Sequence, residues 1–157
     1  MSGNLELEAF VYREARLMDE LEFDEWFALW TEDGVYQVPV GNEPGARRQV
    51  AIINDDYVRL RQRVERLKTG SVLAVEGARG AMRRVVSNIE IIGEDERGET
   101  EVASNFFLGI ARSAEQQFWM GRTVHRLRRV EGELRIAKKT VLLINRGHEM
   151  PLLQFLI

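Results

Sequence analysis

Beyond residue 70 the chain alternates apolar and polar residues with a period of two for most of its remaining length. "VLAVE", "RRVVSNIEIIG", "EVASNFFLGIAR", "QQFWMGRTVHRLRRV" and "ELRIAKKTVLLIN" read as five strands, because alternation places successive side chains on opposite faces of a sheet. "EDERGET" and "RVEGEL" are turn-like links between neighbouring strands, so the pairing is expected to be antiparallel. A sheet of that kind has an apolar face that must be covered, and the covering material has to come from the residues before it. Helices first and hairpin-linked strands afterwards imply an α+β fold with helices packed on one face of a mostly antiparallel sheet. A strongly twisted sheet curls around its helices, which predicts a cone with an internal pocket. The 157 residues are read as a single domain, 1–157, and a chain of this length buries roughly 68–70% of its unfolded surface without staples.

The first seventy residues carry the helix signals. In "FVYREARLMDEL", Phe10, Leu17, Met18 and Leu21 gather on one side with Leu7 and Val11. "FDEWFALWTEDG" reads as a second helix that Asp24 can cap and Gly34 can end. "VYQVPV" follows as a short strand, with Pro39 implying an edge or a strand end, and residues 41–49 form a loop. In "INDDYVRLRQRVERLKTG", Asn54 is the expected N-cap, Ile53 can staple onto Val58, and Gly70 stops the helix. Tyr57, Leu60, Val64 and Leu67 form its core face, and Arg59, Arg61, Arg63 and Arg66 cover the rest.

Composition removes several functions. There is no cysteine, so this chain forms no disulfide, no Cys-ligated zinc site and no iron–sulfur cluster of its own. No apolar run reaches the roughly 20 residues of a membrane span, and "MSGNLELEAF" lacks the pattern of a signal peptide. The expected location is cytoplasmic, with no membrane partner. Ten acids against Arg13 and Arg16 give residues 1–33 a charge of −8, which leaves +5 for the remainder of a chain whose net charge is −3. The arginines are scattered without interleaved aromatics, so the split points to acidic and basic layers meeting within or between subunits rather than to nucleic acid.

Candidate chemistry is sparse. No phosphate-binding glycine loop or G-x-S-x-G elbow occurs, and "EGARG" at 76–80 reads as a turn. Ser87 and Ser104 sit mid-strand. His125 and His148 are the only histidines and lie on different elements, so no metal site is expected. Glu14 stands out, because it lies at the centre of the first helix's apolar stripe. A carboxylate there must be paired, hydrogen-bonded or protonated, since uncompensated burial costs several kcal/mol. One reading is an acid–base pocket formed by Glu14, Trp26, Tyr36 and His125. The other makes Glu14 a strut between helix and sheet, with Arg84 or Arg122 as its partner. Apolar surroundings that raise a carboxyl pKa suit the first reading. A lone buried acid without a defined catalytic partner is more often structural, which favours the strut.

"FVYREARLMDELEFDEWFALWTEDGVYQVPV", "DDYVRLRQRVERLKTG", "RRVVSNIEI", "GRTVHRLRRVEGELRIAKKTVLLIN" and "LLQFLI" resemble, in order and spacing, the small (beta) subunit of bacterial aromatic-ring-hydroxylating dioxygenases. The resemblance runs from about residue 5 to residue 157 and implies a nuclear transport factor 2-like (cystatin-like) cone. It implies a structural, non-catalytic subunit in aromatic compound catabolism, with no catalytic, cofactor-binding or metal-binding residues on this chain. The Rieske [2Fe–2S] cluster and mononuclear iron are expected on a large alpha subunit, in an α3β3 hexamer or, for the isolated chain, a beta trimer. Arg59, Arg63, Arg66, Arg126 and Arg128 are then candidates for subunit contacts. The alternative is a stand-alone isomerase, dehydratase or hydrolase of the same fold, working through Glu14 and His125.

Overall fold

A computed structural model of the chain describes residues 2–41, 51–69, 81–112, 115–147 and 155–157. Two helices, α1 (Ser2–Asp19) and α2 (Phe23–Phe27), precede strands β1 (Trp30–Pro39) and β2 (Ala51–Asp55). Helix α3 (Tyr57–Thr69) is followed by β3 (Ala81–Glu94), β4 (Thr100–Arg112), β5 (Glu115–Val130) and β6 (Glu133–Leu143). The strands form one curved, unclosed sheet in the order β2-β1-β6-β5-β4-β3. Every neighbouring pair is antiparallel except β1 and β6, which run parallel. This is the α+β arrangement expected from the alternating second half of the chain.

The hairpins follow from local chemistry. Between β3 and β4, Asp95 Oδ1 accepts the backbone N–H groups of Arg97 at 2.9 Å and Glu99 at 3.0 Å, and Gly98 takes φ +76°. Between β5 and β6, Glu131 and Gly132 both have positive φ, as a tight turn matching the twist of the strands requires. Strands β4 and β5 then pair without a bulge from Thr100↔Leu127 to Arg112↔Glu115.

Helix α1 lays Leu7, Phe10, Val11, Leu17 and Met18 onto the sheet. It ends in a Schellman motif: Leu21 N–H bonds to Met18 C=O and Glu22 N–H to Leu17 C=O, with Leu21 at φ 57°. That conformation costs a non-glycine residue about 1–2 kcal/mol. It turns the chain sharply enough for α2 to pack against α1 and α3.

Four expectations about the first seventy residues need correction. Asp24 does not cap the second helix: it lies inside the first turn, and Glu22 stands at the N-cap with no side-chain cap hydrogen bond. The second helix stops at Phe27 and does not reach Gly34, because β6 captures the chain immediately afterwards. Ile136 N–H donates to Leu29 C=O at 2.7 Å, and Thr31 Oγ1 donates to Ile136 C=O at 3.3 Å. Gly34 therefore lies inside β1, where the register with β6 shifts between Trp30 and Val35. A Cβ there would stand 2.8 Å from Trp30 Cε3 and 2.9 Å from Thr31 O, so the glycine serves close approach and not a helix end. The cap of α3 is Asp56, whose Oδ1 accepts the N–H of Arg59 at 2.9 Å, while Asn54 still belongs to β2. Val58 is 63% exposed and cannot staple onto Ile53. Leu60, Val64 and Leu67 are the buried face of α3, as its spacing predicts. The strand reading of "VLAVE", the turn at 76–80, most of the 41–49 loop, Gly70 and His148 lie outside the described residues.

Candidate functional site

Three periodicities converge on the middle of the cone. Phe10, Glu14 and Met18 are spaced by four on α1, so the helix carries all three inward on one face. Alternation along β5 places Trp119, Thr123, His125 and Leu127 on the inner face, leaving Arg122, Arg126 and Arg128 on the other. On β6 the alternation changes phase at a bulge: Leu127 pairs with Ile136 but Arg126 pairs with Lys138, so Ala137 is the extra residue. Ile136 points inward before the bulge, and Lys139, Val141 and Leu143 point inward after it.

The result is a buried polar cluster built on Glu14. Oε1 accepts from Lys139 Nζ at 2.6 Å and from Trp26 Nε1 at 3.0 Å, while Oε2 lies 2.9 Å from His125 Nε2. A carboxylate only accepts, so that histidine nitrogen carries the hydrogen, and His125 Nδ1 is buried without a partner among the described residues. Glu14, Trp26, His125 and Lys139 are each at most 2% exposed. Burial by itself raises the Glu14 pKa, but the charge of Lys139 and the bonds from Lys139 and His125 outweigh it and hold the carboxyl well below the usual range. Burial lowers the Lys139 pKa, with Glu14 opposing. The Lys139 ammonium also lies 6.0 Å from the Trp26 ring centre and 5.7 Å from that of Tyr36.

Glu14 is thus a strut, as its place in the stripe predicts, but neither expected partner holds it. Arg84 is bound to Asp19 instead, through Nε at 2.7 Å and its own backbone N–H at 2.9 Å. Arg122 reaches Glu90 at 3.2 Å on the more exposed outer face. Lys139 escapes a reading by simple alternation because the bulge reverses the phase of β6. The signal that finds it is its parity with Val141 and Leu143.

Tyr36 closes the other side. Its hydroxyl donates to the main-chain oxygen of Ile157 at 2.6 Å and accepts from the Ile157 N–H at 3.0 Å. Burial raises its pKa well above the ordinary phenol value. Phe155, Leu156 and Ile157 are buried in the core, with Phe155 edge-on to Trp119. The space left beside Glu14, Ser104, Thr123, His125, Lys139 and Ile157 is about 20 Å³. An engineered apolar cavity that admits benzene measures roughly 150 Å³. The structure therefore brings Glu14, Trp26, Tyr36 and His125 together and leaves room for about one water molecule beside Glu14 and His125.

The five candidate contact arginines fall into two groups. Arg63 is bound to Asp55 at 2.5 Å, and Arg128 is held by Asp33 and the buried Glu99, with Arg126 Nε 3.7 Å from Glu99. Arg59 and Arg66 are exposed on α3. The outer face of the sheet carries an apolar row: Val85 pairs with Phe107, Phe107 pairs with Met120, and Phe118 stacks on Phe107 at 5.4 Å. All four are exposed. Among the described residues no group of three His, Asp or Glu could hold a metal ion, and no helix is long and apolar enough to cross a membrane.

A curved, unclosed sheet wrapped around α1, with its pocket closed by residues 155–157, defines an α+β cone of the nuclear transport factor 2-like type. Residues 13–148 match the ring hydroxylating beta subunit family, and the chain belongs to that family. It is 39% identical over 137 residues to the small oxygenase component of the p-cumate 2,3-dioxygenase system of Pseudomonas putida, covering 85% of this chain and 75% of that one. It is 33% identical over 150 residues to a benzene 1,2-dioxygenase subunit beta of Pseudomonas putida, covering 88% and 80%. The crystal structure of the beta subunit of benzoate 1,2-dioxygenase from Burkholderia mallei superimposes with a TM-score of 0.76 at 24% identity, over 88% of this chain and 89% of that one.

Proposed function

We propose that the chain is the structural beta subunit of an aromatic-ring-hydroxylating dioxygenase and supplies no catalytic residue itself. The observation that carries this reading is the closed pocket. Glu14 has all three of its hydrogen bonds satisfied by buried protein groups, and about 20 Å³ remains beside it. An acid–base site needs a substrate within hydrogen-bond reach, and an arene has no space there. The Rieske [2Fe–2S] cluster and the mononuclear iron belong, on this reading, to a larger alpha subunit, in an α3β3 assembly. Among the described residues this chain offers no donor set for either centre.

The exposed row of Val85, Phe107, Phe118 and Met120 suits a subunit contact, since exposed contiguous apolar surface marks interaction sites. Arg59 and Arg66 are placed to join such contacts from α3, and arginine is enriched at interfaces. Co-expression with the product of the gene beside its own tests the proposal. A coloured complex containing both chains is expected, and Phe107→Ser with Phe118→Ser should reduce its yield while the isolated chain keeps its fold. A colourless protein that turns over a small apolar substrate without an alpha subunit would refute it.

A further inference from the structure

The polar cluster inside the cone leaves one of its members half satisfied. His125 Nε2 gives its hydrogen to Glu14 at 2.9 Å, while Nδ1 of the same buried ring has no partner among the described residues. A buried polar atom left unpaired forfeits the hydrogen bond it makes with water in the unfolded chain. The ring cannot turn to relieve this without breaking its bond to Glu14. The neighbouring strands bring polar groups to the same place. Thr123 and His125 lie two residues apart on the inner face of β5, and Ser104 stands directly opposite Thr123 on β4. Opposed residues of an antiparallel pair have Cβ atoms about 4.5–5.5 Å apart, close enough for one small molecule to touch both hydroxyls. Ser104, Thr123 and His125 are all buried, and all three line the space of about 20 Å³ beside Glu14.

Size and charge select the occupant. A buried water needs roughly 10–15 Å³ and two to four polar partners. This space supplies the volume, two hydroxyls and a ring nitrogen that still needs a partner. A cation of similar size is disfavoured, because Glu14 is already balanced by Lys139 and a further buried charge would have no counter-charge. We propose that this space is the binding site of a single internal water, held by His125 Nδ1 and by the hydroxyls of Ser104 and Thr123. A water donates or accepts, as do the two hydroxyls, so it satisfies Nδ1 whether or not that nitrogen carries a hydrogen. It also carries the strut one strand further, from Glu14 on α1 through His125 on β5 to Ser104 on β4.

The test begins with the unaltered full chain, crystallised at a resolution that shows ordered solvent. A water is expected within hydrogen-bond distance of His125 Nδ1, about 2.7–3.2 Å, and within the same reach of the Ser104 and Thr123 hydroxyls. In solution, the His125 ring protons should show the nuclear Overhauser contact of a long-lived water. No water at Nδ1, a protein group bonded to it instead, or no such contact in solution overturns the proposal. Thr123→Val then keeps the shape of the side chain and exchanges its hydroxyl for a methyl group. Magnetic relaxation dispersion of isotope-labelled water should find the internal water leaving this variant about fivefold faster, the worth of one net hydrogen bond. An unchanged lifetime in the folded variant overturns the site as assigned. Should the variant not fold, the two measurements on the unaltered chain decide the matter.

Discussion

Replacing Glu14 by glutamine changes almost nothing in size and removes the charge on which three buried donors converge. In the native chain the carboxylate accepts from Lys139 at 2.6 Å, Trp26 at 3.0 Å and His125 at 2.9 Å. Glutamine keeps one acceptor oxygen and puts an NH₂ group where the second stood. Whichever way the amide is turned, N–H faces either the Lys139 ammonium and the Trp26 N–H or the His125 Nε2–H, and at least one donor is left unpaired. Lys139, only 1% exposed, loses its counter-charge with no route to solvent. Breaking a buried pair from one side costs about 3–5 kcal/mol. For a chain of this length that corresponds to a fall in midpoint of about 6–20 °C. Thermal and urea unfolding of the isolated subunit, followed by circular dichroism, measures it. Lys139→Met removes the stranded ammonium, so the loss in the double variant should fall short of the sum of the single losses by at least about 1 kcal/mol. Assembled complexes that do form with Glu14→Gln should turn over nearly normally. A stability loss below about 1 kcal/mol, additive losses, or a large drop in turnover by intact complexes would each refute the strut.

Acid weakens the same contact with a defined sign. The folded-state pKa of Glu14 is depressed, so its contribution is fully present above the ordinary value of 4.5 and is lost as pH falls toward the folded value. The stability gap between the native chain and Glu14→Gln should hold constant near neutrality and narrow progressively below pH 4.5, as urea midpoints across an acid series will show; a gap that widens contradicts the assignment. Gly121→Ala would place a Cβ 2.5 Å from Leu142 O and 3.0 Å from Phe106 Cε1. Overpacking of this kind costs about 1–3 kcal/mol, and an unchanged urea midpoint would mean the strands can part there. Asp56→Ala removes the cap of α3 and should cost about 1 kcal/mol, read as a lower thermal midpoint, whereas Asn54→Ala should cost less.

What could be read from residues alone was whatever repeats locally. Alternation over residues 81–145 predicts β3 to β6, and the two turn segments predict their antiparallel pairing, because a strand's inside and outside are set by parity. Spacing by four predicts that Glu14 enters the core, and the same parity places His125 there. Helix ends were less legible, since Trp30 has a helical spacing from Phe23 and Phe27 but is taken by β6 across the sheet. Of the three partners of Glu14, His125 and Trp26 could be grouped with it from sequence, but the charged one, Lys139, was the hardest to read. Arg84 and Arg122 are plausible by charge, yet the one-residue bulge at Ala137 turns Lys139 inward and the Asp19 carboxylate claims Arg84. Closure of the pocket depends on Phe155–Ile157 meeting Tyr36, 121 residues away in sequence. Local pattern decides which face a side chain takes, because that depends only on backbone repeat. Which buried charges meet, and whether a cavity stays open, depends on register and packing between distant segments, and only the folded chain brings those together.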